Sequence, residues 1–333
     1  MGFNEIEYGL FKRYGTNPVS CLAGSVEKRH YHSASSKGFV SYSAFGGLAL
    51  VLGEPICPPE KMKRVVTEFH QHCRKQGMHE AYFCALGESS ARFPQDEFSR
   101  IHMGDEALVQ LKSRAYRKNA RRMIRRAKRE GVTLQELQGK DFASPRFKKE
   151  SESITRHWLK NKGNSLITFM VNNNFDGHPC HQRIFLAKRE GKTIGFMTAY
   201  NVPSASAMYM DITRIGKAAP NGTSELMVSS LTDIAEAEGY SLLSLGMVPL
   251  SDVGKKWRNP LLLKWILSAL YEYGGWLYPS KTEFHFKSKF QPHWRPVYAY
   301  CSKKANILDF YNMFRIFQPL SLKDYLLRHL FGF

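Results

Sequence analysis

The chain is 333 residues long and 43% hydrophobic, with 48 Lys and Arg against 29 Asp and Glu, for a net charge of +19 and a pI near 9.7. That length exceeds one ordinary core, so two domains of roughly 150 residues are expected, and the charge points to a polyanionic partner or surface. The six cysteines lie far apart without a CxxC pair, and no run of about 18 apolar residues occurs, which excludes a disulfide framework, the usual zinc pattern and a membrane-spanning helix.

The N-terminal MGFNEIEYGLFKRYG lacks the uninterrupted apolar core of a signal peptide. Lys37 to Glu54 reads as two strands joined by a turn at Gly46-Gly47. Pro58-Pro59 opens a helix from Glu60 to Gln76, with Met62, Val65, Val66 and Phe69 near helical spacing, and Ala81 to Leu86 reads as a short buried strand. Residues 113–131, SRAYRKNARRMIRRAKREG, hold nine Arg and Lys against one acid, Glu130. Tyr116, Ala120, Met123 or Ile124, and Ala127 recur every three or four residues, a narrow apolar stripe on a helix otherwise basic, and Gly131 stops it. Such a helix suits a nucleic acid, an anionic membrane or plain solvent. Arg114, Arg117, Lys118, Arg121, Arg122, Arg125 and Arg126 are its candidate phosphate-binding residues.

A second unit is expected from about Asp141, with a helix at Ser151 to Lys160. Arg183 to Ala187 and Lys192 to Tyr200 read as strands about the turn Arg189-Glu-Gly191, and Ala205 to Ile212 as a third. An amphipathic helix, Thr223 to Gly239, follows the turn Pro220-Asn-Gly222, and Tyr240 to Leu245 is again a strand. This order resembles that of the first half and predicts two copies of one α/β unit. His178-Pro-Cys180-His181 has metal-like residues at too tight a spacing, so a loop and no metal site are expected there. The tail LSLKDYLLRHLFGF is short and amphipathic, suited to packing on the domain or to lying on a membrane surface.

Chemistry is expected in YMDITRIGKAAPNGTSEL, Tyr209 to Leu226. On a strand Tyr209 and Asp211 project to one face, with Arg214 just past its end and a helix start at Gly222 to Ser224 that favours anions. An Asp–Arg pair that merely closes a loop fits the same spacing. Lys287 and Lys289 lie between aromatics in FHFKSKFQPHW, with Pro292 ending the element. An N-acetyltransferase unit usually cradles coenzyme A on an Arg/Gln-x-x-Gly-x-Gly/Ala turn. Here that place reads Ala219-Pro-Asn-Gly222-Thr-Ser224, a poor coenzyme A site, and neither a P-loop nor GxGxxG is present.

MYMDITR, NGTSELM, AEAEGYSLLSLGMVPLSDV and FKSKFQPHWRPVYAY together resemble the C-terminal domain of bacterial phosphatidylglycerol lysyltransferases, and YHSASSKGFVSYSAFGGLALVLGEP with Lys118, Asn119 and Arg121 resembles its first half. The resemblance spans nearly the whole chain. It implies an α/β fold with mixed sheets, two tandem GNAT-like acyltransferase domains, residues 1–140 with the basic helix and residues 141–333 with the catalytic site. It also implies an aminoacyl group moved from charged tRNA to a lipid hydroxyl, with aminoacyl-tRNA as co-substrate, an anionic membrane lipid as second partner, and no further cofactor or metal. Asp211 and Arg214 match the family's Asp-x-x-Arg and Lys287 and Lys289 its paired lysines, which makes these four the expected catalytic residues. Tyr209, Asn221, Gly222 and Glu225 are the expected substrate-binding residues around them. Where the family has Gly-Asp-Pro in its first half, this chain has Gly53-Glu54-Pro55. The expected location is the cytoplasm, including the inner face of the membrane. An acyl-coenzyme A-dependent N-acyltransferase and a non-catalytic tRNA- or membrane-binding protein are the alternatives. The amino acid and the acceptor stay open, whether phosphatidylglycerol, another lipid, a sterol or a peptide.

Overall fold

The computed structural model describes residues 2–25, 28–162, 169–171, 182–251, 268, 271–272, 279–304 and 306–317. The His178–His181 cluster and the tail from Leu320 lie outside them. The first helix, α1 (Glu5–Tyr14), starts at a reciprocal cap, in which Asn4 Oδ1 accepts from the Glu7 amide and the Glu7 carboxylate accepts from the Asn4 amide, each at 2.9 Å. A 3-10 turn, Pro18–Gly24, leads to β1 (Arg29–His32) and then to the expected hairpin, β2 (Phe39–Phe45) and β3 (Leu48–Leu52). Gly46 and Gly47 have φ of 56° and 89°, as a two-residue hairpin turn matched to the strand twist requires. The helix α2 (Met62–Lys75) then carries the chain to β4 (His79–Leu86), parallel to β3.

The long strand β5 (Phe98–Gln110) precedes the basic helix α3 (Lys118–Arg129). There follow β6 (Thr133–Glu136), α4 (Pro145–Lys162), β7 (Gln182–Arg189), β8 (Lys192–Val202) and β9 (Ala207–Ile215). Next come α5 (Thr223–Ala237), β10 (Leu242–Pro249), α6 (Ser280–Ser288), β11 (His293–Ser302) and α7 (Ile307–Phe317).

Among the described residues the strands join one mixed sheet of eleven, in the order β1-β2-β3-β4-β11-β5-β10-β9-β8-β7-β6. The mixed sheets expected for two α/β units are one continuous sheet, and the reason is an exchange. The last strand of the first half, β5, pairs with β10 of the second, and β11 pairs with β4 of the first. β5 and β11 then pair with each other, antiparallel, at the centre. Pro296 sits in β11 just before its pairing with β4 begins at Val297, so the missing N–H leaves no ladder bond unmade on that side.

One face of the sheet is covered by α2, whose Val65, Val66 and Phe69 pack on Tyr42, Val51 and Tyr82, and by α5 over Met208, Met210 and Leu243. The other face carries the turn Pro18–Gly24, α1 and α7, with Leu22, Phe11 and Ile316 in one cluster with Tyr209 and Met247. Beside them α4 packs Phe147 and Ile154 on Phe196 and Ile212. Each fully buried Phe or Leu of these clusters contributes roughly 1.5–3 kcal/mol, which makes the two-sided sheet the main source of stability.

Helix α3 buries only Ala120, Ile124 and Ala127 against the α5 side, so apolar burial alone holds it lightly. Close approach supplies the rest. A Cβ on Gly222 would lie 2.2 Å from the Met123 carbonyl oxygen, so only glycine lets the start of α5 touch the α3 backbone. The Tyr116 hydroxyl bonds Thr232 Oγ1 at 2.6 Å, and Arg114 is tied to Asp233 at 2.8 Å and to Glu236.

Candidate active site where two parallel strands part

Strands β9 and β10 run parallel only from Ala207–Tyr209 against Leu242–Ser244. Beyond that point β10 stays with β5 and β9 stays with β8, so the two diverge. Each is bulged at the parting. In β10, Leu245 and Gly246 stand opposite a single residue of β5, and Gly246 adopts φ 80°. In β9, Asp211 and Ile212 stand opposite Thr198, whose hydroxyl accepts the Ile212 amide at 3.2 Å. The glycine inside a strand motif, Leu245-Gly246-Met247, was the sequence signal for this bulge.

The bulge is braced from below. Ser244 Oγ accepts the Gly246 amide at 3.1 Å and donates to Glu106 Oε1 at 2.6 Å, and the other Glu106 oxygen takes Arg295 Nη2 at 2.5 Å. Asp105 N bonds Ser251 Oγ at 2.8 Å, which closes the end of the same motif onto β5. None of Glu106, Ser244 and Arg295 was singled out from sequence, because they meet only through strand pairing.

Lys287 reaches the bulge from α6. It is 4% exposed, and its ammonium donates to the Gly246 and Met247 carbonyls at 3.2 and 3.0 Å and pairs with Glu283 at 2.7 Å. Its three N–H bonds are thus engaged, so the residue acts as a clamp on the parting strand. A methyl group built on Gly246 would lie 3.6 Å from Lys287 Nζ and 3.7 Å from the Tyr209 hydroxyl, which brings phenol and ammonium to one point.

Tyr209 is buried, and burial, reinforced by the Asp211 charge, pushes its phenol well above the usual range, so it stays protonated. Asp211 is half-buried and acts electrostatically on Tyr209, on Cys21 of the 3-10 turn and on Arg214. Arg214 Nη1 donates to Thr155 Oγ1 at 2.9 Å, and the guanidinium lies 5.7 Å from the rings of both Trp158 and Phe196. Burial brings its pKa down to about 10 against the opposing pull of Asp211, which leaves it a cation at neutral pH.

The remaining expected residues lie on the reverse face. Lys289 Nζ pairs with Glu225 at 2.7 Å, and its carbonyl takes the Arg117 amide at 2.8 Å, joining α6, α5 and the start of α3. Gly222 serves the α3–α5 contact and Asn221 is exposed in the turn before it. The structure therefore brings Tyr209, Asp211, Arg214 and Lys287 together and leaves Asn221, Gly222, Glu225 and Lys289 as a separate group. On α3, Arg117, Lys118, Arg121, Arg122, Arg125 and Arg126 are exposed, whereas Arg114 is half-buried in its pairs to α5. The first turn of α3 carries no acid, so the partial positive charge of its N-terminus adds to the basic surface. Among the described residues no group of three His, Cys, Asp or Glu is set to hold a metal ion, and no helix is long and apolar enough to cross a membrane.

These features define a mixed α/β protein with one large sheet, a cluster of largely buried polar side chains where two parallel strands part, and a basic helix on the reverse face. Over residues 8–301 the chain matches the family described as phosphatidylglycerol lysyltransferase, C-terminal, and it belongs to that family. It is similar to the phosphatidylglycerol lysyltransferase of Bacillus subtilis, 24% identical over 300 residues, covering 88% of this chain and 34% of the relative. It is also similar to the lysylphosphatidylglycerol biosynthesis bifunctional protein LysX of Mycobacterium avium, 23% identical over 321 residues, covering 90% of this chain and 26% of that protein. The chain thus spans about a quarter to a third of the length of these curated relatives. The solved structure of L-PGS from Bacillus licheniformis shares the fold, with a TM-score of 0.75 at 22% identity over 95% of this chain and 97% of that one.

Proposed function

We propose that the chain is an aminoacyltransferase that moves the aminoacyl group of a charged tRNA to a lipid hydroxyl, with a phosphatidylglycerol-like acceptor and no cofactor or metal beyond the aminoacyl-tRNA itself. The observation that carries this reading is the family match, whose bounds, residues 8 and 301, enclose the parted strands. The relatives named for lysyl transfer to phosphatidylglycerol supply the acceptor class, and the charged-tRNA donor comes from the family resemblance of the sequence.

In this reading the acceptor hydroxyl attacks the aminoacyl carbonyl and forms the new ester C–O bond. The bond to the tRNA ribose breaks, and the acceptor's proton ends on the ribose oxygen. Asp211 holds the substrate α-ammonium through a charge-assisted hydrogen bond. Tyr209, kept protonated by burial, donates to the developing charge, and Arg214 supplies a fixed cation, an arrangement typically worth a few kcal/mol. Lys287 positions the bulge, and Lys289 with Glu225 positions the helix start. The exposed cations of α3 track the phosphates of the tRNA body without reading sequence. Work on charged tRNA and lipid sets the chain in the cytoplasm, peripheral to the inner face of the membrane.

We further read the sheet as two tandem GNAT-like units that exchange their last strands. Each has antiparallel strands followed by a parallel pair joined by a helix, β3-α2-β4 and β9-α5-β10. The packing of α3 on α5 and the pairing of β6 with β7 argue for moving the boundary from residue 140 to the segment just after β5.

Incubation with labelled aminoacyl-tRNAs and phosphatidylglycerol tests the function. Label should appear in lipid and vanish when RNase precedes the enzyme. Transfer from acyl-coenzyme A that ignores RNase would replace this reading with the N-acyltransferase one.

A further inference from the structure

Four large apolar side chains are exposed among the described residues, and three of them, Phe45 (42%), Leu308 (65%) and Tyr311 (56%), stand at one corner of the sheet. Phe45 ends β2 at the hairpin, and Leu308 and Tyr311 lie one turn apart on α7. The corner is firmly built. Asn312 Nδ2 donates to the Gly46 carbonyl at 2.6 Å, and a Cβ on Gly46 would fall 2.2 Å from Asn312 Oδ1, so α7 is seated closely against the hairpin turn. The Asp309 carboxylate is turned inward, onto His79 at 2.8 Å and the Asn306 amide at 2.8 Å.

Cations accompany the exposed apolar groups. Arg315 lies 5.2 Å from the centre of the Phe45 ring, and the exposed Lys303 and Lys304 precede α7 in the chain. Large apolar side chains accompanied by Lys and Arg are what an interfacial surface needs: the former enter the headgroup layer and the latter meet lipid phosphates. Helix α3 shares the charge but not the anchors, because its apolar stripe is spent on α5. The two surfaces also lie on opposite faces of the sheet, and α7 shares the face of Tyr209. Leu308, Tyr311 and Arg315 lie beyond residue 301, where the family match ends.

We propose that this corner is the surface by which the chain docks on an anionic phospholipid bilayer, while α3 is reserved for tRNA. The choice of occupant rests on the lipid-acceptor reading above, and the test separates the two. The full chain is sedimented with phosphatidylcholine vesicles with and without phosphatidylglycerol. The wild type should partition onto the vesicles containing phosphatidylglycerol, and Leu308→Ser with Tyr311→Ser should lower that partition by about tenfold or more while tRNA binding and melting temperature hold. Leu308→Phe should keep it. Arg121→Glu with Arg125→Glu should do the reverse, weakening tRNA binding, flattening its dependence on salt and sparing the vesicles.

An equal partition of the double serine variant overturns the proposal, as it would if the residues after Phe317 sheltered the corner. So does vesicle binding lost only with the α3 variant, or a dimer that the serine variant splits while vesicle binding holds. Aminoacyl transfer to lipid in detergent micelles, where docking is not needed, is measured beside it. Vesicle binding without micellar transfer would sink the proposed function and keep the corner, and micellar transfer without vesicle binding would do the opposite.

Discussion

The two parallel strand pairs of the sheet use one backbone device and close it differently. β4 leaves β3 at a bulge, where Phe83 and Cys84 face a single residue of β11, just as Leu245 and Gly246 in β10 face a single residue of β5. The turning residues have matching backbones, φ 63° at Cys84 and 80° at Gly246. In the first half the space behind the bulge is filled from within. The buried Glu54 carboxylate takes Asn17 Nδ2 at 2.6 Å, the Leu86 amide at 2.5 Å and Ser89 Oγ at 2.9 Å, and Asn17 also caps the Cys84 carbonyl at 2.8 Å. In the second half the carboxylate next to the parting, Asp211, is half-exposed beside a buried phenol and a buried guanidinium. The first parting is thus closed by one carboxylate with three hydrogen bonds, whereas the second gathers a carboxylate, a phenol, a guanidinium and an ammonium around its bulge.

The largest expected effect sharpens that contrast in the second half. Asp211→Asn keeps size and deletes charge. If the carboxylate holds the substrate α-ammonium, transfer should fall by about a hundredfold or more, an electrostatic contact of a few kcal/mol, with melting temperature and tRNA affinity retained. An N-acetylated aminoacyl-tRNA should be a poor donor for the wild type and be discriminated against far less by the variant. A lowered melting temperature with both donors in their original ratio would mean that Asp211 only closes a loop.

The first half should answer in stability instead. Glu54→Ala strands three donors in the interior and should cost about 3 kcal/mol, with little change in activity per folded molecule. The sign of its pH dependence follows from burial, which outweighs the three hydrogen bonds and raises the carboxyl above its ordinary value. A raised folded pKa gives stability that is complete below the unfolded value, 4.5, and is lost as pH rises through the folded one. The stability of wild type relative to Glu54→Gln should therefore decline from about pH 4.5 upward, as read by denaturant titration at several pH values. A difference that grows with pH would contradict the assignment.

How far these regions were legible in the sequence follows the range of their contacts. The Gly46-Gly47 hairpin, α2 and the stripe of α3 are local patterns, and each reads correctly from spacing alone. β5 and β11, the central pair, were missed. β5 carries Arg100, His102, Asp105 and Glu106 where a strand pattern wants apolar residues, and their partners Ser251, Ser244 and Arg295 lie more than a hundred residues away. β11 opens with His293 and holds a proline. With the central pair unseen, one sheet read as two. Lys287 was singled out as a cation for the reaction, yet the carbonyls that use its N–H groups sit on a strand some forty residues earlier. A side chain's type was visible, but its partners were not.

The smallest expected effects come from exchanging the turning residues themselves. At φ 80° a Cβ on Gly246 meets nothing closer than 3.6 Å, so Gly246→Ala has space and pays only in backbone conformation, about 1–2 kcal/mol. Because the strained bulge lies between Tyr209 and Lys287, transfer should drop as well. Cys84 already bears that strain at φ 63°, and Cys84→Gly relieves it. Against this stand the looser unfolded chain and the lost contact of the thiol with Met247 Sδ at 3.7 Å, leaving a net change within about 1 kcal/mol of zero. Denaturation midpoints and transfer rates on the two variants decide whether the bulges are equivalent. Equal costs at both positions, or a loss of transfer with Cys84→Gly as large as with Gly246→Ala, would mean that the first parting takes part in the reaction rather than framing it.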